Sequence, residues 1–555
     1  MEAEQTQLFN QKLSQWIASQ GFWFQLRHSM SGGGGWSMTV SHLMRLGAKV
    51  AMVLLVAACG FAIYLFQRVK TESFTDSLNA GLVRGLGAAE AKVLYFTRSQ
   101  GSAQIRRVGV EGGDKTFFRN LDAQNVRLKM GLLDGMAITW DAGTLQAKWM
   151  ELDLKAGADS AEQAKALGES LFREWEGFSF SSVDVEEANL RWGFSARTQG
   201  LIEKSHMVAT RGAESWRIVF KGGTFSQNWL KKLEIVELVA ECGPGGMKVT
   251  RGDFKSGGGV VTFRDVAVAG GEKPAVTGNL EISKADLASF IPESARPYVE
   301  GVISGEFELS GSTNSVDGIR IEGDVTLGEG DGIILREKIE LLNVLSAVDL
   351  YNNYFKVPFD RGSFHLKTGG GSMELSRVDL RSGELMTLQG QLTMRYPRDG
   401  ESIGADGAGQ FAPVFNPGGD ASQVAKGSDL TLEKAAKAEE AEKEAKEAKD
   451  AKGKKGSGAG LGDMAIFERG AQRRIDELLL QQELARRSQA LRCEPGSSFK
   501  VTIPGDAFNR SEVLRRDFPV DPATRRIAIV VPLEGTLHEM TRRQADEMRK
   551  TGLRN

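Results

Sequence analysis

Histidine, the side chain best suited to acid-base and metal chemistry, occurs five times, at His28, His42, His206, His365 and His538. None belongs to an HExxH pair or has a metal-ligand neighbour at helical spacing, so the pattern points to no metal site. The three cysteines, Cys59, Cys242 and Cys493, form no CxxC. Cys242 and Cys493 have two readings, a disulfide in an oxidising compartment or two small buried residues, and the second is the commoner for cysteines this far apart. There is no GxSxG, no Walker motif and no Rossmann glycine fingerprint after a strand. SGGGGW at residues 31–36 lacks the lysine of a phosphate loop and reads as a hinge. The triplet of Arg251, Gly252 and Asp253 reads as a turn between strands, and Asn509 in NRS is uninformative. Carboxylates are plentiful but fall on polar strand faces, where solvated surface is their ordinary role. The expectation is therefore no catalytic residue, no metal and no cofactor.

Bulk numbers narrow the class. Lys plus Arg total 70 against 72 for Asp plus Glu, a formal charge of -2, which gives no electrostatic case for nucleic acid. A chain of 555 residues that is only 41% hydrophobic implies extended or unstructured stretches beside a core. Glycine, at 66 residues, far outnumbers proline, at 13, the balance that many short strands joined by glycine turns produce.

The clearest element signal lies at residues 299–327. Val299, Ile303, Phe307, Leu309, Ile319, Ile321, Val325 and Leu327 are odd-numbered, while Glu300, Glu306, Glu308, Arg320, Glu322 and Asp324 are even. Side chains alternate across a strand with period two, so these are two strands of an antiparallel sheet with one dry face and one wet face. The same alternation recurs from Lys92 onward, punctuated by Gly, Asn, Asp or Lys. It resumes at Phe364 and Leu366, Met373 and Leu375, Val378 and Leu380, and Leu392 and Met394 after a helix at IELLNVLSAV. Further helical breaks are expected after Asp159, at residues 226–233 and from Lys284.

Residues 50–66 carry no charge and are flanked by Arg45, Lys49, Arg68 and Lys70. That is a single transmembrane helix, expected at residues 49–68. LVAAC looks like a lipoprotein box, but about 48 residues precede the apolar run where a whole signal peptide has about 15 to 30, so cleavage is not expected. Flanking charges nearly balance; the expected orientation, a cytoplasmic N-terminus and an exported remainder, rests on the length of the C-terminal portion. Residues 1–48 read as a tail with an amphipathic helix bearing Phe9, Leu13, Trp16 and Ile17, suited to a membrane interface or to a partner.

Residues 399–462 form a charged tether. Pairs such as Glu433 with Lys437 favour an isolated helix, but no apolar seam exists for a coiled coil. Residues 463–555 comprise an amphipathic helix with Ile475, Leu478, Leu479 and Leu491, then alternating strands at Phe499, Val501 and Ile503 and at Ile527, Ile529, Val531 and Leu533.

Residues 279–395, with NLEISKADLASFI, VEGVISGEFELSGS, IRIEGDVTLGEGDGII, IELLNVL and the glycine-rich strands after it, resemble the C-terminal portion of the AsmA-like proteins, a family with TamB-like relatives. The resemblance covers about a fifth of the chain well. It implies that residues 69–398 form a periplasmic β-groove, hung from a bacterial inner membrane and serving lipid traffic and outer-envelope assembly. The charged insertion at 399–462 departs from the family pattern.

A dry sheet face needs cover, from another sheet, from helices or from a ligand. The fold class expected is mainly β: an elongated, twisted antiparallel sheet forming an apolar groove, with one N-terminal transmembrane helix and a few short helices. A closed sandwich or barrel is the alternative. A strand of about 17 to 20 Å spans one leaflet's acyl depth of roughly 15 Å. Groove-lining candidates are Ile303, Phe307, Leu309, Ile319, Ile321, Val325, Leu327, Phe364, Leu366, Leu392 and Met394. The expected partners are phospholipid or another acylated envelope lipid and the inner membrane. The alternative function is an assembly factor that binds envelope proteins and carries no lipid.

Overall fold

A computed structural model describes residues 2–30, 36–68, 71–99, 101–131, 140–158, 160–172, 178–193, 199–227, 230–292, 294–315, 318–349, 351–369, 371–396, 491–537 and 539–552. The hinge at 31–35, the charged tether, the helix expected after it up to residue 490, and His538 lie outside the described residues. Leu491, expected in that helix, is fully buried at the entry to a strand.

The chain divides into two compact units, residues 1–74 with 131–137, and the rest. The first unit is helical: α1 (Glu2–Ser19), α2 (Phe22–Met30) and α3 (Trp36–Arg68). On the expected face of α1 only Ile17 is buried, while Phe9, Leu13 and Trp16 stay exposed and Trp16 meets Phe24 of α2 edge-on at 5.6 Å. Among the described residues no helix is long and apolar enough to cross a membrane. Two facts about α3 stand beside that result. Its run at 50–66 is uncharged, and Val50, Met52, Val53, Leu54, Leu55 and Val56 are each at least half exposed. Consecutive residues point all round a helix, so this stretch is apolar on every side and largely unpacked.

The second unit is mainly β. The boundary falls within α4 (Glu72–Leu86), whose Asn79 side chain accepts the backbone N–H of Val93 at 2.9 Å on the first strand. The strands that follow are β1 (Glu90–Ser99), β2 (Ser102–Glu111), β3 (Phe118–Lys129), β4 (Trp140–Asp141) and β5 (Thr144–Leu154). Helix α5 (Ala161–Ser170) starts where the Ser160 hydroxyl accepts from the Gln163 N–H. After it come β6 (Phe178–Ser179), β7 (Ser182–Trp192), β8 (Gly200–Arg211), β9 (Trp216–Lys221), β10 (Thr224–Gln227), β11 (Leu230–Gly243), β12 (Gly246–Ser256), β13 (Gly259–Ala269) and β14 (Ala275–Asp286). Then follow β15 (Val299–Ser312), β16 (Ile319–Leu327), β17 (Gly332–Arg336), α6 (Glu340–Val348), β18 (Lys356–Phe359), β19 (Arg361–Gly369), β20 (Ser372–Ser382) and β21 (Met386–Arg395). The chain closes with β22 (Arg492–Cys493), β23 (Ser498–Pro504), α7 (Glu512–Asp517), β24 (Arg526–Pro532), β25 (Gly535–Thr536) and α8 (Arg542–Gly552).

Among the described residues, all strands but β4 and β6 join one sheet of 23 strands. Its ladder runs β1, β2, β3, β5, β7, β8, then β9 and β10 side by side, then β11 to β15 in order. The long β15 forks, pairing β16 with one half and β17 with the other. From there β16 leads through β19, β20 and β21 to β23 and β24.

Bulges recur along this ladder. Lys204, Lys232, Asp265, Lys284 and Arg377 have positive φ, each where one strand gains a residue over its neighbour. A bulge bends its strand and increases the local twist. At three of them a side chain of an adjoining segment takes the bulge's backbone N–H: Asn189 for Lys204, Ser226 for Lys232 and Ser304 for Lys284.

Four expectations change. Within 226–233, expected as helical turns, the described residues 226–227 end β10 and 230–233 start β11, because Ser226 serves the bulge at Lys232. The helix expected from Lys284 shrinks to a 3-10 turn, Leu287–Ser289, because β14 continues past its bulge to Asp286. Arg251, Gly252 and Asp253 lie inside β12, not in a turn: Gly252 faces the Phe263 side chain, while Arg251 pairs with Glu237 and Asp253 on the wet face. Cys242 on β11 and Cys493 on β22 are both free, so of the two readings the unpaired one holds.

Candidate functional site

Ten of the eleven groove candidates are buried; Ile319, at the mouth of β16, is intermediate. Cross-strand register shows how they line up. One row passes through Ile235, Phe254, Val261, Ile282, Gly305, Val325 and Phe364, each directly opposite the next on strands β11 to β16 and β19. A second passes through Gly252, Phe263, Leu280, Phe307, Gly323, Leu366, Leu375 and Leu392, from β12 to β21. Neither row contains a polar side chain.

Glycine alternates with bulk for a steric reason. A Cβ on Gly323 would lie 2.8 Å from Phe307 Cδ1, and one on Gly305 would lie 3.1 Å from Phe307 Cε2. The ring of Phe307 thus lies over two glycines, which a pleated sheet of uniformly large side chains would not permit. Further along, Phe225, Phe254 and Phe263 cluster in tilted and edge-on contacts with centroids 4.7 to 5.4 Å apart, and Trp192 joins them at 6.1 Å from Phe225. These aromatics extend the site beyond the candidates read from sequence. Phe254 and Phe263 belong to the alternation of β12 and β13, but nothing in the alternation aligned those strands with Phe307.

The opposite face is ionic. His365 contacts Asp324 at 2.9 Å and Glu322 at 3.4 Å, Lys367 pairs with Glu322 at 2.9 Å, and Arg377 with Asp324 at 2.8 Å. The hydrogen bond from Lys367 holds the Glu322 carboxyl below its usual range. These groups are partly exposed and paired with one another. Among the described residues no group of His, Cys, Asp and Glu could hold a metal ion.

Near the C-terminus three helices bury apolar side chains of their own. Leu341, Leu342, Val344, Leu345 and Val348 of α6 are buried, as are Leu514 of α7 and Ala545 and Met548 of α8. The Leu341 N–H donates to the Thr541 hydroxyl just ahead of α8, and Arg549 of α8 pairs with Glu340 of α6 at 3.2 Å. The loop after α6 is fixed by the buried Tyr354, whose hydroxyl donates to Asp349 at 2.8 Å.

Such a face, among the described residues, offers hydrocarbon contact. Searches against family models, curated proteins and solved structures find no match for this chain.

Proposed function

We propose that this protein is a non-enzymatic carrier of acyl chains, holding phospholipid or another acylated envelope lipid against the dry face of its sheet. The observation that carries the reading is the pair of apolar cross-strand rows. The longer covers eight strands, about 34 Å at roughly 4.8 Å per strand, a length suited to extended hydrocarbon. In this reading α3 is the anchor, supported by its uncharged and exposed run at 50–66. The AsmA-like resemblance of residues 279–395 supports a bacterial inner membrane, a cytoplasmic N-terminus and a periplasmic sheet serving outer-envelope assembly.

A second reading, an assembly factor that binds envelope proteins without carrying lipid, is favoured by one observation. Ten of the eleven candidates are buried by the chain's own side chains and backbone, as in a closed core. Photo-crosslinking separates the two. Crosslinkers at Phe307, Leu309, Ile321 and Val325 should capture lipid in cells, and those at Glu308, Glu322 and Asp324 should not. Adducts that ignore residue parity, or none at any dry-face position of a folded protein, would leave the assembly reading standing.

A further inference from the structure

β5 and β7 run parallel, whereas the other pairings of the large sheet among the described residues are antiparallel. A hairpin cannot join parallel neighbours, so the chain leaves the far end of β5 and travels the length of the strands before starting β7. On the way it meets a distant turn. The Thr313 hydroxyl donates to the Ala156 carbonyl at 2.7 Å, and the Asn314 side-chain amide donates to the Ala158 carbonyl at 3.3 Å. Between them Gly157 lies so close to Asn314 that a Cβ would stand 2.6 Å from the Asn314 Cβ. Ala156 and Ala158 are buried. Lys155 ties the start of the segment to the β2–β3 turn through the carbonyls of Gly113 at 2.7 Å and Asp114 at 3.2 Å.

The distance bridged is informative. Passing through β7, β8, β10, β11, β12, β13 and β14, the ladder puts β15 eight steps from β5, about 38 Å in a flat sheet. Two residues of extended chain beyond Leu154 reach about 7 Å. The intervening sheet must therefore curl until the end of β5 returns to the β15–β16 turn. The bulges at Lys204, Lys232, Asp265 and Lys284 lie within this curled stretch.

We propose that residues 155–158 are a clasp on Thr313 and Asn314, and that its release, with the strands intact, opens the dry face to an acyl chain. The gating role rests on the acyl-chain reading above; the mechanical role stands on the contacts alone. Apart from Lys155, the clasp is made of side-chain-to-carbonyl hydrogen bonds and one glycine contact. None is a bond between paired strands, so all can break without unpairing a strand.

Two variants of the full-length chain test this. Thr313→Val removes the hydroxyl at nearly constant size, and Gly157→Val drives a side chain into Asn314. Hydrogen exchange is followed by mass spectrometry, and uptake of a fluorescent phosphatidylethanolamine is followed from vesicles. Both variants should speed exchange at residues 155–158 and 312–315 by at least about tenfold, with β12 to β14 exchanging as in the wild type. Both should also load the lipid faster by a comparable factor. Exchange at 155–158 that rises only together with β12 to β14 would overturn the clasp. Equal uptake by wild type and released variants would overturn the gating role and leave the acyl-chain reading intact. Release without uptake by any of the three proteins would overturn that reading and the gating role with it.

Discussion

Phe307→Ala tests whether the dry face is filled by its own side chains. The Phe307 ring is buried, at 3% exposure, and lies over Gly305 and Gly323. Truncating a core phenylalanine costs about 3 to 5 kcal/mol, with the higher values where neighbours cannot relax into the void. Two glycines have no side chain to move, so the loss should lie near 4 kcal/mol. For a domain of this size about 2 °C per kcal/mol is expected, which puts the fall in Tm at about 8 °C. Glu308→Ala, one residue along on the exposed wet face, should change Tm by no more than about 1 °C. Differential scanning fluorimetry of the full chain measures both. The cavity left by the ring is apolar and should admit hydrocarbon, so a long-chain fatty acid should raise the Tm of Phe307→Ala more than that of the wild type. A loss below about 1 kcal/mol would show that the ring makes few contacts. The account of the dry face as a packed surface would then fail.

Further expectations concern the glycines, the thiols and the acidic side chains. Gly323→Ala places a Cβ 2.1 Å from the Glu306 carbonyl oxygen and should cost about 3 kcal/mol in chemical denaturation, while Gly258→Ala, with open space around it, should be near neutral. Burial pushes the Cys242 thiol up to about 11 and the Cys493 thiol up to about 12, so neither should react with a maleimide at about pH 8 until the protein is unfolded. If α3 is embedded in a bilayer, a membrane-impermeant maleimide should also fail to label Cys59 in intact membranes and should succeed in denaturing detergent; labelling of intact membranes would remove the anchor. Hydrogen bonds from Lys221, Lys367 and Arg381 hold Glu237, Glu322 and Asp379 below their ordinary ranges. A depressed carboxyl contributes stability above its unfolded value that is lost as the pH falls through the lower folded one. Urea midpoints should therefore drop below about pH 4.5, and Lys367→Met should remove the Glu322 share; a flat profile would show that these pairs contribute nothing.

Local alternation was enough to make strands and to assign their faces. Phe307 and Leu309 against Glu306 and Glu308, or Ile321 and Val325 against Glu322 and Asp324, leave one arrangement in which apolar side chains avoid water, and the structure places them so. The uncharged run of α3 was equally plain, because apolarity along 17 successive residues needs no partner to be read. Helix α6 was legible from its spacing. By contrast β8 passed unnoticed, since Ile202, Met207 and Ala209 change parity across the bulge at Lys204 and no single period fits them. Residues 226–233 misled for the same reason. Helix α8 was missed because it is mostly charged, with only Ala545 and Met548 facing inward.

What tertiary structure alone decided is which strand lies beside which and what covers the dry face. Parity is a property of one strand, and it reads the same whether the neighbour is the next strand in sequence or one across a crossover. Nothing local marks β5 and β7 as parallel, and nothing local brings Ala156 to Thr313, 157 residues away. Those contacts follow from bend and twist accumulated strand by strand. A few degrees added at each bulge are invisible in any one hairpin, yet across the eight steps from β5 to β15 they decide whether the face is an open sheet or a clasped one.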